Sequence, residues 1–365
     1  MKLGLFMMPF HAETRDLHST YDEDMHKSIL ADQLGFEEVW IGSHFTCSYE
    51  PIASPLMFLA ALIAQTRQIK LCTGMINLAA LPPGLVAAEV AQMDQMAKGR
   101  FIFGIGPGSL PSDFELFDAG NDREARMFEN FEFIKEIWAN DPPYDLQGKY
   151  WSVKVKDSVS QPFGFGKFPK PYQKPYPPIG IGMMSPFSGT AKKAAINGFL
   201  PISASFISTY VVASHWKKYL EGCEAVGRKP DPENWRVSRT IAVARTDEEA
   251  RELVFGEGSN HRAFYDYHWE ILRKMGFGAI VKADPKISDD EVTSDGRLEE
   301  MVIYGSPKTV AEKVMVFREK VGPFGRLVMA AGDWTNHRAK EEESMRLLAT
   351  EVQPLLARAM AGEKA

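Results

Sequence analysis

The sequence predicts an α/β fold, a single-domain (β/α)8 (TIM) barrel with insertions over residues 1–365. Eight short apolar runs read as strands, and each is followed by a stretch with helical spacing. Strands that alternate with helices imply parallel pairing and right-handed crossovers. A chain of 365 residues that is 45% hydrophobic and 25% charged has a large core available, and α/β barrels routinely use that length as one domain.

Leu3 to Met8 is apolar enough for a central first strand, and Pro9-Phe10-His11 leaves it as a loop. Thr20 to Glu23 has the spacing of a capping box, with Met25, Ile29, Leu30 and Leu34 on one helical face and Gly35 as the stop. Val39 to Ile41 is the second strand and delivers Gly42-Ser43-His44-Phe45 to its C-terminal end. Ser54-Pro55 opens a helix to Ala64, since serine caps and proline suits the first helical position. Ile69 to Thr73 is the third strand, followed by Gly74-Met75-Ile76-Asn77 and a helix over Leu85 to Ala97. Phe101 to Ile105 is the fourth, followed by Gly106-Pro107-Gly108-Ser109.

The helix Arg123 to Trp138 aligns Met127, Phe131, Ile134 and Trp138. Residues 141–177 carry many proline, glycine and aromatic residues and read as a long excursion before strand five. Ile179 to Gly182, the helix Ala191 to Asn197 and the strand Phe199 to Ile202 form a βαβ unit. Thr209 to Cys223 is helical, Arg236 to Ala244 is the seventh strand, and Thr246 to Glu249 is a second capping box. Residues 255–300 depart from alternation and read as an insertion able to cover an active site. Ser306-Pro307 opens a helix to Lys320, Arg326 to Ala330 is strand eight, and Glu342 to Met360 closes the chain.

In such barrels the reacting residues sit on the loops after the strands. The hydroxyl-rich crossover Ser185 to Thr190 precedes a helix whose free N–H groups and partial positive charge suit a phosphate; the competing reading is that Ser188 or Thr190 merely caps that helix. His44 is a strand-end imidazole able to exchange a proton near neutral pH, and His11 is a weaker candidate of the same kind. His261 and His268, seven apart without a carboxylate partner, read as structural. No His-Glu-x-x-His, no His-x-His after strand one and no Gly-x-Ser-x-Gly is present, so metal-dependent and esterase chemistry lose their signatures. Gly104-Ile105-Gly106-Pro107-Gly108 fails the dinucleotide spacing because Ser109 takes the third glycine's place.

The formal net charge of -6, without a long Lys/Arg run, argues against nucleic-acid or anionic-membrane binding. Three widely spaced cysteines, Cys47, Cys72 and Cys223, make neither a disulfide framework nor a zinc knuckle. The apolar stretch near Leu56 to Ala64 is too short to span a bilayer, and the opening residues resemble a first strand rather than a signal peptide. A cytoplasmic protein is expected.

Several runs together resemble the bacterial luciferase-like flavin monooxygenases: Gly35 to Trp40 with His44-Phe45-Thr46, Thr73-Gly74-Met75, Met93 to Phe101 with Gly104-Ile105-Gly106, Pro175 to Ile179, Ser188 to Thr190 and Gly198 to Pro201. The resemblance covers nearly the whole chain. The stretches Lys170 to Pro178 and Met183 to Ser188 look most like FMN-dependent oxygenases of terpenes, cyclic ketones or other small apolar molecules. It implies that Ser185, Ser188, Gly189 and Thr190 hold the FMN phosphate and that Gly74-Met75 is a cis peptide beneath the flavin ring. Asn77 and Gly106 then approach the ring, and His44 stands at its reactive face. Pro107 occupies the place of an arginine that luciferase itself uses, and one histidine replaces a pair, so light emission from aldehydes is not expected.

The implied activity is that of a two-component monooxygenase. Reduced FMN from a separate NAD(P)H:flavin reductase reacts with O2 to a 4a-hydroperoxyflavin, which oxygenates the substrate. Met8, Phe10, His11, Phe45 and Cys47, with Met7, are candidates for an apolar substrate wall. A homodimer built on the helices Ser54 to Ala64 and Leu85 to Ala97 is implied as well. A deazaflavin-dependent hydride-transfer enzyme on the same barrel, or a non-catalytic flavin-binding protein, are the alternatives.

Overall fold

Runs such as Leu3-Gly4-Leu5-Phe6-Met7 and Phe101 to Gly106 are buried almost throughout, the pattern of strands covered on both faces. The computed structural model describes residues 1–362. Eight such strands are β1 (Lys2–Met7), β2 (Glu38–Ile41), β3 (Lys70–Thr73), β4 (Phe101–Gly106), β5 (Ile179–Met183), β6 (Leu200–Ser203), β7 (Arg236–Val243) and β8 (Arg326–Ala331). Each pairs with the next and β8 pairs with β1, so the chain forms the (β/α)8 barrel the sequence predicts. Two compact units are distinguished, Trp40–Gly180 and the remainder, and both boundaries fall inside strands, β2 and β5.

Within the unit Trp40–Gly180, Leu71 and Cys72 of β3 lie opposite Phe101 and Ile102 of β4. Ser54 accepts from the Met57 N–H and starts the helix Pro55–Ile63 as expected. The helix Pro83–Ala97 ends where Lys98 and Gly99 turn left-handed. Asp94 and Arg100, from the most distinctive run of the sequence, do architectural work here. Asp94 accepts from both the backbone and side-chain amides of Gln173, and Arg100 donates to Thr66 and to the carbonyls of Ile63 and Ile69. The first pair ties the 141–177 excursion to its own unit. That excursion holds an antiparallel hairpin, Tyr144–Gln147 with Ser152–Val155, which its reading as an irregular segment did not include.

In the other unit, β1 runs beside β8 with Leu3 opposite Leu327 and Leu5 opposite Met329. β7 pairs with β8 and with β6. The far half of β7 also carries a short parallel strand, Val302–Gly305, that the sequence reading missed. Four residues between two helices leave little periodicity to detect. The 255–300 insertion is largely helical, with helices Asn260–Lys274 and Ser294–Met301. The closing segment is two helices, Arg338–Leu347 and Gln353–Gly362, joined by one wider turn.

The first helix corrects the sequence reading twice. It begins at Leu17, capped by the Asp16 carboxylate on the Ser19 N–H, so Thr20 lies inside it and bonds back to the Leu17 carbonyl. Its buried face holds Glu23, Asp24 and Lys27, whereas Met25, Ile29 and Leu34 are only half-buried. Burial of the charged face is possible because the Lys27 ammonium lies against the Glu23 and Asp24 carboxylates.

Candidate active site

The loop after β2 carries His44, and its shape brings two carboxylates to the ring within the unit Trp40–Gly180. The Glu50 N–H donates to the Cys47 carbonyl and the His44 N–H to the Ile52 carbonyl, so the chain folds back after four residues and aims Glu50 at the imidazole. From the loop after β4, Asp113 lies in the first turn of the helix Pro111–Leu116. Its Oδ2 is 3.1 Å from His44 Nδ1. Its Oδ1 accepts from the Phe45 N–H, the Thr46 N–H and the Thr46 hydroxyl. Burial opposes the charge on Asp113, and those hydrogen bonds reverse the effect, holding its carboxyl below the usual range.

Asp113 is therefore an anion with its lone pairs committed, and it fixes the proton on His44 Nδ1. The other ring nitrogen, Nε2, faces Glu50 Oε2 at 3.9 Å. Burial lowers the His44 pKa, and the bond to Asp113 with the field of Glu50 raises it past the ordinary value. Burial also raises the Glu50 carboxyl, against the pull of His44. Neither carboxylate was singled out from the sequence. Asp113 lies 69 positions from His44, and no spacing rule marks it among 48 acidic residues.

The Gly74–Met75 peptide is cis, as the resemblance implied. Three glycines of β4 and its loop pack against this segment. A Cβ on Gly104 would lie 1.8 Å from the Thr73 carbonyl oxygen, one on Gly106 3.1 Å from Met75 Cβ, and one on Gly108 2.4 Å from Asn77 Nδ2. Only glycine permits backbone and side chain to approach so closely. Asn77 is opposite Gly106 in a short parallel pairing and its Oδ1 accepts from the Ala79 N–H. Phe45 is exposed and packs edge-on against Phe117, while Cys47 is half-buried and not in a disulfide.

The other unit holds the remaining candidates. Ser188 caps the helix Gly189–Asn197 through the Thr190 N–H, and a Cβ on Gly189 would meet nothing within 4 Å, so this helix start is open. The loop before it is anchored twice. Ser214 accepts from the Phe187 N–H, and His215 Nε2 donates to the Ser185 carbonyl at 2.9 Å. Trp235 donates to Ser203, whose hydroxyl proton then points to His215 Nδ1. Burial pushes the His215 pKa down to about 4, so the ring is neutral and serves as a fixed strut.

Phe10 is buried among Phe264, Tyr267 and His268 of the insertion. Met8 borders a cavity of about 20 Å³ beside Phe264 and Trp334, room for one water molecule. His261 does have a carboxylate partner, Glu341 at 3.2 Å.

His11 is buried with both ring nitrogens engaged. Arg15, always a donor, donates to Nδ1 at 3.1 Å, which leaves Nε2–H to donate to Asp24 at 3.0 Å. Arg15 also pairs with Glu23 and Asp333, and Lys27 Nζ stands 2.6 Å from Glu23 and 3.1 Å from Asp24. Among the described residues His11, Glu23 and Asp24 are grouped closely enough to hold a metal ion, but the Lys27 ammonium fills that role.

Residues 1–323 match the family model described as luciferase-like monooxygenase. The chain is 29% identical to limonene 1,2-monooxygenase of Rhodococcus erythropolis, over 96% of this chain and 85% of that protein. It is 27% identical to 2,5-diketocamphane 1,2-monooxygenase 1 of Pseudomonas putida, over 97% of this chain and 99% of that one. Among solved structures, the oxygenating constituent of 3,6-diketocamphane monooxygenase from Pseudomonas putida, a type II Baeyer-Villiger monooxygenase in complex with FMN, superimposes with a TM-score of 0.87. The two are 27% identical, over 97% of this chain and 98% of that one.

Proposed function

We propose, from the premise that this chain belongs to the luciferase-like monooxygenase family, that it is the oxygenase of a two-component system. It takes reduced FMN from a separate NAD(P)H:flavin reductase, in the cytoplasm, and uses O2 to oxygenate a small apolar substrate of the terpene or cyclic-ketone class. The relatives that oxygenate limonene and diketocamphane support the substrate class, and the description of the FMN-bound neighbour as an oxygenating constituent supports a second component.

One observation carries the reading. A histidine pinned by Asp113 stands in the same unit as Gly104, Gly106 and Gly108, whose lack of side chains lets Thr73, Met75 and Asn77 pack directly against β4 and its loop. In that unit Gly74, Met75, Asn77 and Gly106 are assigned to the ring, and Phe45 with Cys47 to the substrate. In the other, Ser185, Ser188, Gly189 and Thr190 are assigned to the phosphate, whose charge suits an open helix start. Met8, Phe10 and His11 are assigned to the apolar wall, His11 through its ring carbons because its nitrogens are committed.

The flavin supplies the oxygen-activating chemistry, and the protein positions substrate and excludes water. His44 presents Nε2 to the reacting groups as the proton donor or acceptor, with Asp113 holding the ring in one tautomer. Met57, Leu85 and Met96, exposed on the helices Pro55–Ile63 and Pro83–Ala97, support a homodimer through those helices.

Stopped-flow absorbance after mixing the protein and anaerobically reduced FMN with oxygenated buffer tests the proposal. A long-lived spectrum of the 4a-hydroperoxyflavin, decaying faster with a cyclic ketone or terpene, is the expected result. Flavin oxidation at the protein-free rate sinks it and makes reduced deazaflavin the next ligand to examine.

A further inference from the structure

Glu50 is a buried carboxyl whose nearest titrating partner is His44 Nε2, at 3.9 Å, and among the described residues no Lys or Arg pairs with it. Three titratable groups face one another here. Asp113 is held ionised by four donors, so it does not exchange a proton in the working pH range. His44 keeps its Nδ1 proton toward Asp113 in every state, which leaves Nε2 as the only ring nitrogen able to gain or lose one. Glu50, from the opposite side of the ring, is then the only group in the cluster with which Nε2 can share a proton.

We propose that Glu50 and His44 Nε2 exchange a proton across this gap, and that Glu50, protonated, reloads His44 after the imidazole has given its own proton away. The inference rests on the role assigned to His44 under the proposed function. In the step, the Nε2–H bond of the imidazolium breaks as the proton leaves for the reacting atom. The Glu50 O–H bond then breaks and a new Nε2–H bond forms, leaving imidazolium beside carboxylate. Glu50 finally takes a proton from solvent, so no oxidant or reductant is consumed. A separation of 3.9 Å becomes a transfer distance by a small side-chain rotation or through one water.

Both charge states of the pair are accessible for the same reason. A buried carboxylate resists ionisation, and a buried imidazole resists protonation unless a carboxylate accompanies it, so the proton is held with similar ease at either end. Glu50 acts through His44 and is a positioning and proton-supplying residue.

The test is a histidine NMR titration of the flavin-free protein, comparing wild type with Glu50→Gln and Glu50→Asp. Wild-type His44 is expected to titrate in two coupled steps. Glu50→Gln should collapse them into one step at lower pH, and Glu50→Asp should restore two. The ring resonance of His215, buried between Ser203 and the Ser185 carbonyl, certifies when unchanged that each variant is folded. If His44 titrates alike in folded wild type and Glu50→Gln, the proposal is overturned. If the titration changes as expected but reduced FMN reacts no differently with protein present, the proton exchange stands and the oxygenase reading falls.

Discussion

Two histidines sit just past strands β1 and β2, His11 buried and His44 half-buried, and the charges around them differ. His11 lies among Glu23, Asp24 and Asp333, with Lys27 and Arg15 inserted between them. His44 lies between Asp113 and Glu50, with no Lys or Arg paired to either among the described residues. In the first cluster the charges cancel and each nitrogen of His11 has one fixed partner, so it staples the loop after β1 to the loop after β8, where the Trp334 N–H donates to Glu23. In the second the compensation is incomplete, and the proton itself is the variable. One ionic cluster of this barrel is thus internally compensated, and the other is the one to which the proposed function assigns chemistry.

Removing a cation from the compensated cluster should produce the largest loss of stability. Lys27→Met strands Glu23 and Asp24 without their ammonium, and breaking a buried pair costs about 3–5 kcal/mol. Chemical denaturation reads this directly, and a wild-type midpoint would show that the network is not what holds the loop. His44→Ala should do the converse. Melting should stay near wild type, while product formation and oxygen-adduct lifetime fall by about 10²-fold or more, the usual worth of a proton-transfer group. Retention of both would remove His44 from the chemistry.

Next in size is Gly104→Ala. The added Cβ meets the Thr73 carbonyl, and a rigid backbone clash of this kind costs about 1–3 kcal/mol. Flavin binding by the variant should weaken more than its melting temperature suggests, because the added Cβ also presses on Met75, a residue assigned to the ring. Isothermal titration of FMN against both proteins decides this, and equal affinities would detach the glycines from the ring.

Each cluster also carries its own pH dependence, with an acid held low in both, Asp333 and Asp113, and a histidine raised in both, His11 and His44. Asp333 is held below its ordinary range by His11, Thr335 and Arg15 against the opposing effect of burial. A depressed carboxyl contributes stability that is present above its unfolded pKa and lost as pH falls toward the folded one, so the His11 cluster loosens in acid. Glu50 and His44 are both raised, so the folded state binds extra protons and their contribution declines as pH climbs through the raised values. Hydrogen exchange at the Trp334 amide should quicken below about pH 4, the ordinary carboxylate range. Glu50→Gln should lose less stability than wild type between weakly acidic and alkaline pH. Parallel stability curves for the two proteins would contradict the sign.

The smallest effect concerns the surface. Met57→Glu with Leu85→Glu should leave folding intact and convert a dimer to a monomer in sedimentation, and an unchanged mass would place any interface elsewhere.

Much of this was legible in the chain. Alternation of buried strands with helices followed from local periodicity, which a strand covered on both faces must show. Ser54-Pro55, Thr246 to Glu249 and the Ser188 start are local hydrogen-bond motifs, and each appears where its spacing puts it. His44 and Gly74-Met75 were found because they follow strands. The Asp94 to Phe101 run was legible as a family mark, although its Asp94 and Arg100 bind backbone and brace the excursion.

What only the tertiary structure decided is which charges stay in water. Glu23, Asp24 and Lys27 read as a solvated face because charged residues usually are, and partners from the loops after β1 and β8 were needed to bury them. Asp113 and Glu50 are two acids among 48, distinguished by where the loops after β4 and β2 deliver them. Periodicity is local and survives in one dimension. The energy of a buried charge depends on partners brought from distant parts of the chain, so the sequence determined the barrel and its strand-end histidines, and folding determined which carboxylates and cations surround each of them.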